Sequence, residues 1–280
     1  MAQLKDVAEY AKVSQSTVSR VINNPELVKR ATRDQVRAAM AHLGYTPQVA
    51  ETRTRRNVIG LAIPDINLEI NAVFIRELGR RLEETPYDLL LFNLKGNRQM
   101  STFCSENAAF HKKVDALIIT SARLDDTSID FFRKLKLPIV VIQSRCQGEM
   151  VIGTNNYLGG QDAVRHLLDL GHRKIAFVGW DLEDERLSER LNGYRSMMEN
   201  PGPGYDKAMV SLGLLSIEGG YQTTAALYET QKPEAIFYAS DSMAYGGFKY
   251  FREHGIRVPE DISLVGFDNL PMSAVVGLTT

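Results

Sequence analysis

From residue 58 onward the chain repeats one device seven times: a short apolar run, then a stretch long enough for an amphipathic helix. The runs are VIGLAI (58–63), DLLLF (88–92), ALIIT (116–120), PIVVI (138–142), KIAFV (174–178), AIFYA (235–239) and ISLVGF (262–267). Runs this short, rich in Val, Ile and Leu and without polar alternation, suit strands buried on both faces. Such strands pair in parallel and need helical crossovers between them. The segment 156–172 reads as one crossover, with Val164, Leu167 and Leu168 facing inward and Gly171 at its end. An α/β body is therefore predicted, and 280 residues leave room for a further small unit.

Several function classes fall away. No stretch approaches the roughly 18 consecutive apolar residues of a membrane helix. The N-terminus is charged within six residues and has no leader-like apolar core, so a cytoplasmic protein with no membrane partner is expected. Cys104 and Cys146 have neither metal-ligand nor CxxC spacing. There is no GxxxxGK[ST] loop, no GxSxG elbow and no zinc-protease spacing among His42, His111, His166, His172 and His254. The glycine pairs 159–160, 219–220 and 246–247 do not form GxGxxG, and His172 reads as a structural or surface group. No catalytic residue, metal or cofactor is expected.

Charge is unevenly placed. Residues 1–57 carry ten Lys/Arg against five acids, +5, while the remainder sums to −6 behind an overall −1. That balance fits a polyanion-binding module, and equally a solvated helical surface. The motifs tip it. Leu4, Val7, Ala8 and Ala11 have helical spacing, and Ser14 can cap a second helix, QSTVSRVIN, across a short turn at Lys12. Ala8, Val13, Val18 and Val21 would face inward. Lys12 stands where such turns often use glycine, and a positive φ there would strain it. Thr32-Arg33-Asp34-Gln35 has the form of a capping box for a third helix with Val36, Ala39, Met40 and Leu43 inward and Gly44 as its stop.

This is a helix-turn-helix pattern, although trihelical modules without a DNA role share it. Its second helix would present Gln15 and Ser16 to the major groove, with Arg20 bidentate to guanine. Ser14, Thr17 and Asn23 suit phosphate positioning.

LKDVAEYAKVSQSTVSRVINN with VKRATRDQVRAAMAHLGYTP closely resembles the head of the lactose-repressor/galactose-repressor (LacI/GalR) family of bacterial transcription regulators. The resemblance continues through IGLAIPDI (59–66), DLGHRKIAFVG (169–179), RLNGY (190–194), 240–269 and the final LTT. It implies a helix-turn-helix head (1–46), a hinge (47–57) and a periplasmic-binding-protein-like body of two subdomains (58–280). In the family a hinge leucine wedges into the minor groove; here that position is Thr54, beside Arg53, Arg55 and Arg56. Arg53 is expected on phosphate or in a narrow minor groove, and the DNA kink is expected to be smaller.

Ligands of open α/β sheets bind at strand carboxyl ends, where Asp65, Gln143, Ser240, Asp241 and Asp268 stand. The resemblance implies effector contacts from Gln143, Arg190, Ser240 or Asp241, and Asp268, with Leu215 where many relatives carry an aromatic residue. Arg190 as a surface ion pair, and Asp241 or Asp268 as helix caps, are the plain alternatives. The stretch 65–74, DINLEINAVF, is longer than the family's usual DIxNPFF. The implied partners are a pseudo-palindromic operator, a second copy of the chain, and a sugar or sugar derivative, with a nucleoside or sugar acid as alternatives. Family members continue past LTT, so an incomplete C-terminus is expected. A solute-binding protein would carry a leader and no basic head, and a sugar enzyme would need a nucleophile that is missing.

Overall fold

A computed structural model describes residues 3–23, 25–45, 56–94, 99–106, 109–144 and 149–280. The chain divides into two compact units, Met1–Arg55 and Arg56–Thr280.

The first unit holds α1 (Leu4–Tyr10), α2 (Gln15–Asn23) and α3 (Arg30–His42), with a 3-10 turn at Pro25–Leu27. Val7, Ala8, Ala11, Val18, Val21, Val36 and Ala39 form its core, with Leu4, Val13, Met40 and Leu43 against it. Ser14 caps α2, its Oγ accepting from the Thr17 amide at 3.1 Å. Lys12 takes φ +50°, the strained conformation foreseen for the turn. Gly44, at φ +59°, ends α3: its amide reaches Ala41 O and the Tyr45 amide reaches Met40 O, a Schellman arrangement.

One expectation is corrected. Thr32 is not the cap of α3, which begins two residues earlier after Lys29. With Thr32 already inside the helix, Gln35 donates from Nε2 to Ala11 O at 3.1 Å, tying α3 to the end of α1.

In the second unit β1 (Val58–Ile63), α4 (Glu69–Leu82), β2 (Asp88–Asn93), α5 (Met100–Glu106), β3 (Ala116–Thr120), α6 (Asp126–Lys134), β4 (Ile139–Ile142) and β5 (Met150–Ile152) follow in order. They build a parallel sheet in the order β2-β1-β3-β4-β5. Then come α7 (Asn156–Asp169), β6 (Ile175–Gly179), α8 (Glu185–Glu199), β7 (Val210–Leu212), α9 (Ile217–Gln231), β8 (Ala235–Tyr238), α10 (Asp241–Glu253), β9 (Ser263–Val265) and α11 (Pro271–Val276). Their parallel sheet runs β7-β6-β8-β9. Each sheet has its own apolar core.

All seven apolar runs are strands. The two that were missed, β5 and β7, are three-residue edge strands. Met150, Val151 and Ile152 are all exposed, and β7 carries a serine at its centre, so neither needs the long apolar run that marks an interior strand.

Both sheets reverse strand order beside their first strand, between β1 and β3 and between β6 and β8. Such a switch point opens a crevice at the strand carboxyl ends. Glycines set the helices that border it. A Cβ on Gly160 (α7) would strike the Arg190 backbone, and one on Gly193 (α8) the Tyr157 carbonyl. Gly220 (α9) and Gly246 (α10) meet the facing backbones of Met243 and Ile217 in the same way. Backbone lies against backbone in both helix pairs.

Candidate ligand cleft and DNA-reading face

On the head, Ser14, Gln15, Ser16 and Arg20 are exposed along one side of α2, and Thr17 is half-buried. Ser14 is partly spent on the helix cap and shares hydrogen bonds with Ser16 Oγ (2.7 Å) and Thr17 Oγ1 (2.9 Å). Arg20 makes no ion pair with a described residue, which leaves its guanidinium free for a base edge or a phosphate. Asn23 lies in the last turn of α2. Arg53 and Thr54 lie outside the described residues, as does the hinge expectation built on them.

In the body, a chamber of about 120 Å³ sits between the two sheets' strand ends and adjoins an outer cleft of about 860 Å³. Ser121, Gln143, Thr154 and Arg186 line both. The centre of the chamber is Arg190, on the second turn of α8 and 4% exposed. Its Nε donates to Asn156 Oδ1 at 3.0 Å, and its Nη1 donates to Ala239 O and faces Asp268 Oδ1 at 3.4 Å. The guanidinium lies 3.5 Å over the Phe267 ring, with Trp180 at 5.7 Å. Burial lowers its pKa to about 10, with Asp268 opposing the shift, so it remains a cation at neutral pH.

Asp268 accepts from Ser240 Oγ at 3.0 Å and stands at φ +118°, with Asn269 following at φ +51°. Two successive side-chain-bearing residues in that region store about 1–3 kcal/mol of strain each, as binding sites often do. Burial raises the Asp268 carboxyl above its ordinary pKa against the pull of Arg190.

Gln143, Arg190, Leu215, Ser240 and Asp268 therefore come together around one chamber. Asp65 and Asp241 are not among its lining residues. Asp65 makes an Asx turn, its Oδ1 accepting from Asn67 N and Nδ2, both at 2.9 Å. Asp241 is fully buried and accepts from Leu270 N (2.8 Å), Ser273 Oγ (2.7 Å) and Thr280 Oγ1 (2.6 Å). It pins the segment after β9. Asp241→Ala should therefore cost about 2–3 kcal/mol in chemical denaturation, by orphaning three donors. A loss under about 0.5 kcal/mol would contradict that role.

Sequence reasoning missed Trp180, Phe267, Arg186 and Glu69, which also line the chamber. Trp180 directly follows β6 and Phe267 stands two residues past β9, so the strand-end rule that singled out Ser240 would have found them. Arg186 and Glu69 sit in helical first turns and carry no such signal.

Comparison with known proteins places this geometry. Residues 3–48 match the family model described as bacterial regulatory proteins, lacI family, and residues 164–280 match the periplasmic binding protein-like domain. The chain is 32% identical over 285 residues to the HTH-type transcriptional regulator DegA of Bacillus subtilis (strain 168), spanning 98% of this chain and 84% of that protein. The chain belongs to the LacI family of bacterial regulatory proteins.

Solved structures of LacI-family regulators share its architecture. The lac repressor dimer bound to operator and the anti-inducer ONPF superposes with a TM-score of 0.66 at 30% identity, over 98% of this chain and 84% of that one. The transcriptional regulator CelR in complex with cellobiose gives 0.66 at 28% identity, with the same coverage of each chain. As a LacI-family member this chain is a DNA-binding transcription regulator and not an enzyme. Among the described residues no helix is long and apolar enough to cross a membrane.

Proposed function

We propose that this LacI-family chain is a repressor that binds a pseudo-palindromic operator as a homodimer and is controlled by a sugar or sugar derivative in the body's cleft. The reading assigns residues 1–46 to the DNA-binding head, 47–57 to the hinge and 58–280 to the effector-binding and dimerisation body, acting in the cytoplasm at the nucleoid. Gln15, Ser16 and Arg20 read bases, while Ser14, Thr17, Asn23 and Arg53 position the head on phosphates. Gln143, Arg190, Leu215, Ser240 and Asp268 take the effector.

The observation that carries the reading is the buried Arg190–Asp268–Ser240 cluster. It is a planar donor fork and a paired acceptor on an aromatic platform, aimed at a chamber between two sheets. Such a set matches vicinal hydroxyls. The cellobiose held by CelR supports the sugar class, and the operator held by the lac repressor dimer supports the DNA partner.

Two bridges join the subdomains at the cleft. Arg186 Nη1 donates to Ser121 Oγ at 2.8 Å, and Arg123 Nη2 donates to Glu183 O at 2.6 Å. An effector that prefers one arrangement of these contacts shifts the subdomain angle by that preference. The shift reaches the hinge through Asp115, whose Oδ2 accepts from the amides of Arg56 (2.8 Å) and Val58 (3.3 Å) at the start of β1.

The test is a salt-dependent gel shift on DNA upstream of neighbouring transport or catabolic genes. Binding should be sequence-preferring and fall steeply with salt. Arg20→Ala should weaken specific binding by about 1–3 kcal/mol and relax the preference at one base pair per half-site. Uniform weakening on all DNA would assign Arg20 to phosphate alone. No salt-sensitive shift on any upstream fragment would sink the reading.

A further inference from the structure

Four charged side chains line the chamber: Glu69, Arg186, Arg190 and Asp268. Three of them are matched. Arg190 faces Asp268 at 3.4 Å, and Arg186 is gripped by Asp184 through Nη2 (2.7 Å) and Nε (3.0 Å). Glu69 is left over. No cation among the described residues stands within ion-pair distance of it, and the charge that acts on it most is another carboxylate, the buried Asp241.

The plain alternative is that Glu69, as the first residue of α4, serves only the helix dipole. That would hold its carboxyl low. Burial and the nearby Asp241 instead raise it above its ordinary pKa, so the helix end is not the only influence on it. A second acceptor faces the same space: Gln143 Oε1 is buried without a hydrogen-bond partner, while its Nε2 donates to Thr154 Oγ1 at 2.8 Å. The chamber thus holds one acceptor lacking a donor and one anion lacking a cation, beside the aromatic faces of Phe74 and Trp180.

We propose that the effector is a saccharide bearing a protonated amine, and that Glu69 is the residue that selects it. A hydroxyl can hydrogen-bond Glu69 but leaves its charge uncompensated when the cleft closes, whereas an ammonium supplies both the donor and the charge. Glu69 falls within the stretch 65–74 that is longer than the DIxNPFF pattern. The inference rests on the cleft being the effector site, and it adds the ligand's charge.

Its test is calorimetric titration of the full chain at pH 7 with glucosamine, galactosamine and mannosamine, each against its parent hexose and its N-acetyl form. At least one amino sugar should bind roughly tenfold more tightly than both neutral counterparts, and Glu69→Gln should erase that margin. Neutral forms binding as tightly as the amines, or an amine margin that survives in Glu69→Gln, overturns the charge assignment and leaves the effector site standing. Heats absent for all nine compounds overturn both.

Discussion

Replacing Arg190 with alanine is expected to abolish effector binding, by about 100-fold or more, and to lower the body's stability by about 3–5 kcal/mol. Both effects come from one side chain. Arg190 satisfies Asn156 Oδ1 and the Ala239 carbonyl, neutralises Asp268 and covers the Phe267 ring. Its side chain and that of Asp268 are 5% and 14% exposed, so solvent screens the pair little and the missing partner leaves a nearly buried charge. Asp268, already raised by burial, would rise further without its cation. The sign follows: stability lost with Arg190 is partly regained as pH falls and Asp268 takes up a proton. Arg190→Lys should not restore binding, because a point charge cannot reproduce a planar fork that serves three acceptors. Calorimetry and urea unfolding measure the two effects separately. An affinity change under about fivefold in Arg190→Lys would reduce the residue to a structural strut.

The second large effect concerns residues that touch no ligand. Gly160→Ala, and Gly246→Ala in the other helix pair, should each cost about 2–4 kcal/mol. A Cβ there meets the backbone of the facing helix, which cannot rotate away as a flexible side chain would. Gly160→Ala should also weaken effector binding, since the atom it would strike is the carbonyl of Arg190. A control has the opposite sign. Gly79 lies within α4 with nothing within 4 Å of its would-be Cβ, so Gly79→Ala should be neutral or stabilise by up to about 1 kcal/mol. Thermal and urea unfolding of the three variants check the contrast, and equal losses at Gly79 and Gly160 would refute the packing account.

The five interior strands, and the edge strands β2 and β9, were legible because each is written as an apolar run. The edge strands β5 and β7 were not, since each is only three residues long, β5 with all three exposed and β7 with a serine at its centre. At the site, Ser240 and Asp241 were indistinguishable in the sequence, both standing where β8 ends. The first turn of α10 separates them, sending Ser240 toward Asp268 and Asp241 toward Leu270 and Ser273. Thr32 shows the same limit in the head. Its capping box is a local pattern, and the helix starts before it, while Gln35 makes a longer-range bond to Ala11. Glu69 was invisible for a third reason: its meaning lies in which charges its neighbours already cancel, and that appears only once α4, α8 and the Asp268 turn share a chamber.

The central claim is that occupancy of the Arg190 chamber changes the head's grip on DNA. Its most direct measurement is the affinity of the full chain for a selected operator, by fluorescence anisotropy at fixed salt, with and without a saturating saccharide that stabilises the protein. The account predicts a change of about 5–150-fold in the wild type and none in Arg190→Lys, because binding at two coupled sites is reciprocal. A saccharide that binds the wild-type chamber at saturation yet leaves operator affinity unchanged would contradict it.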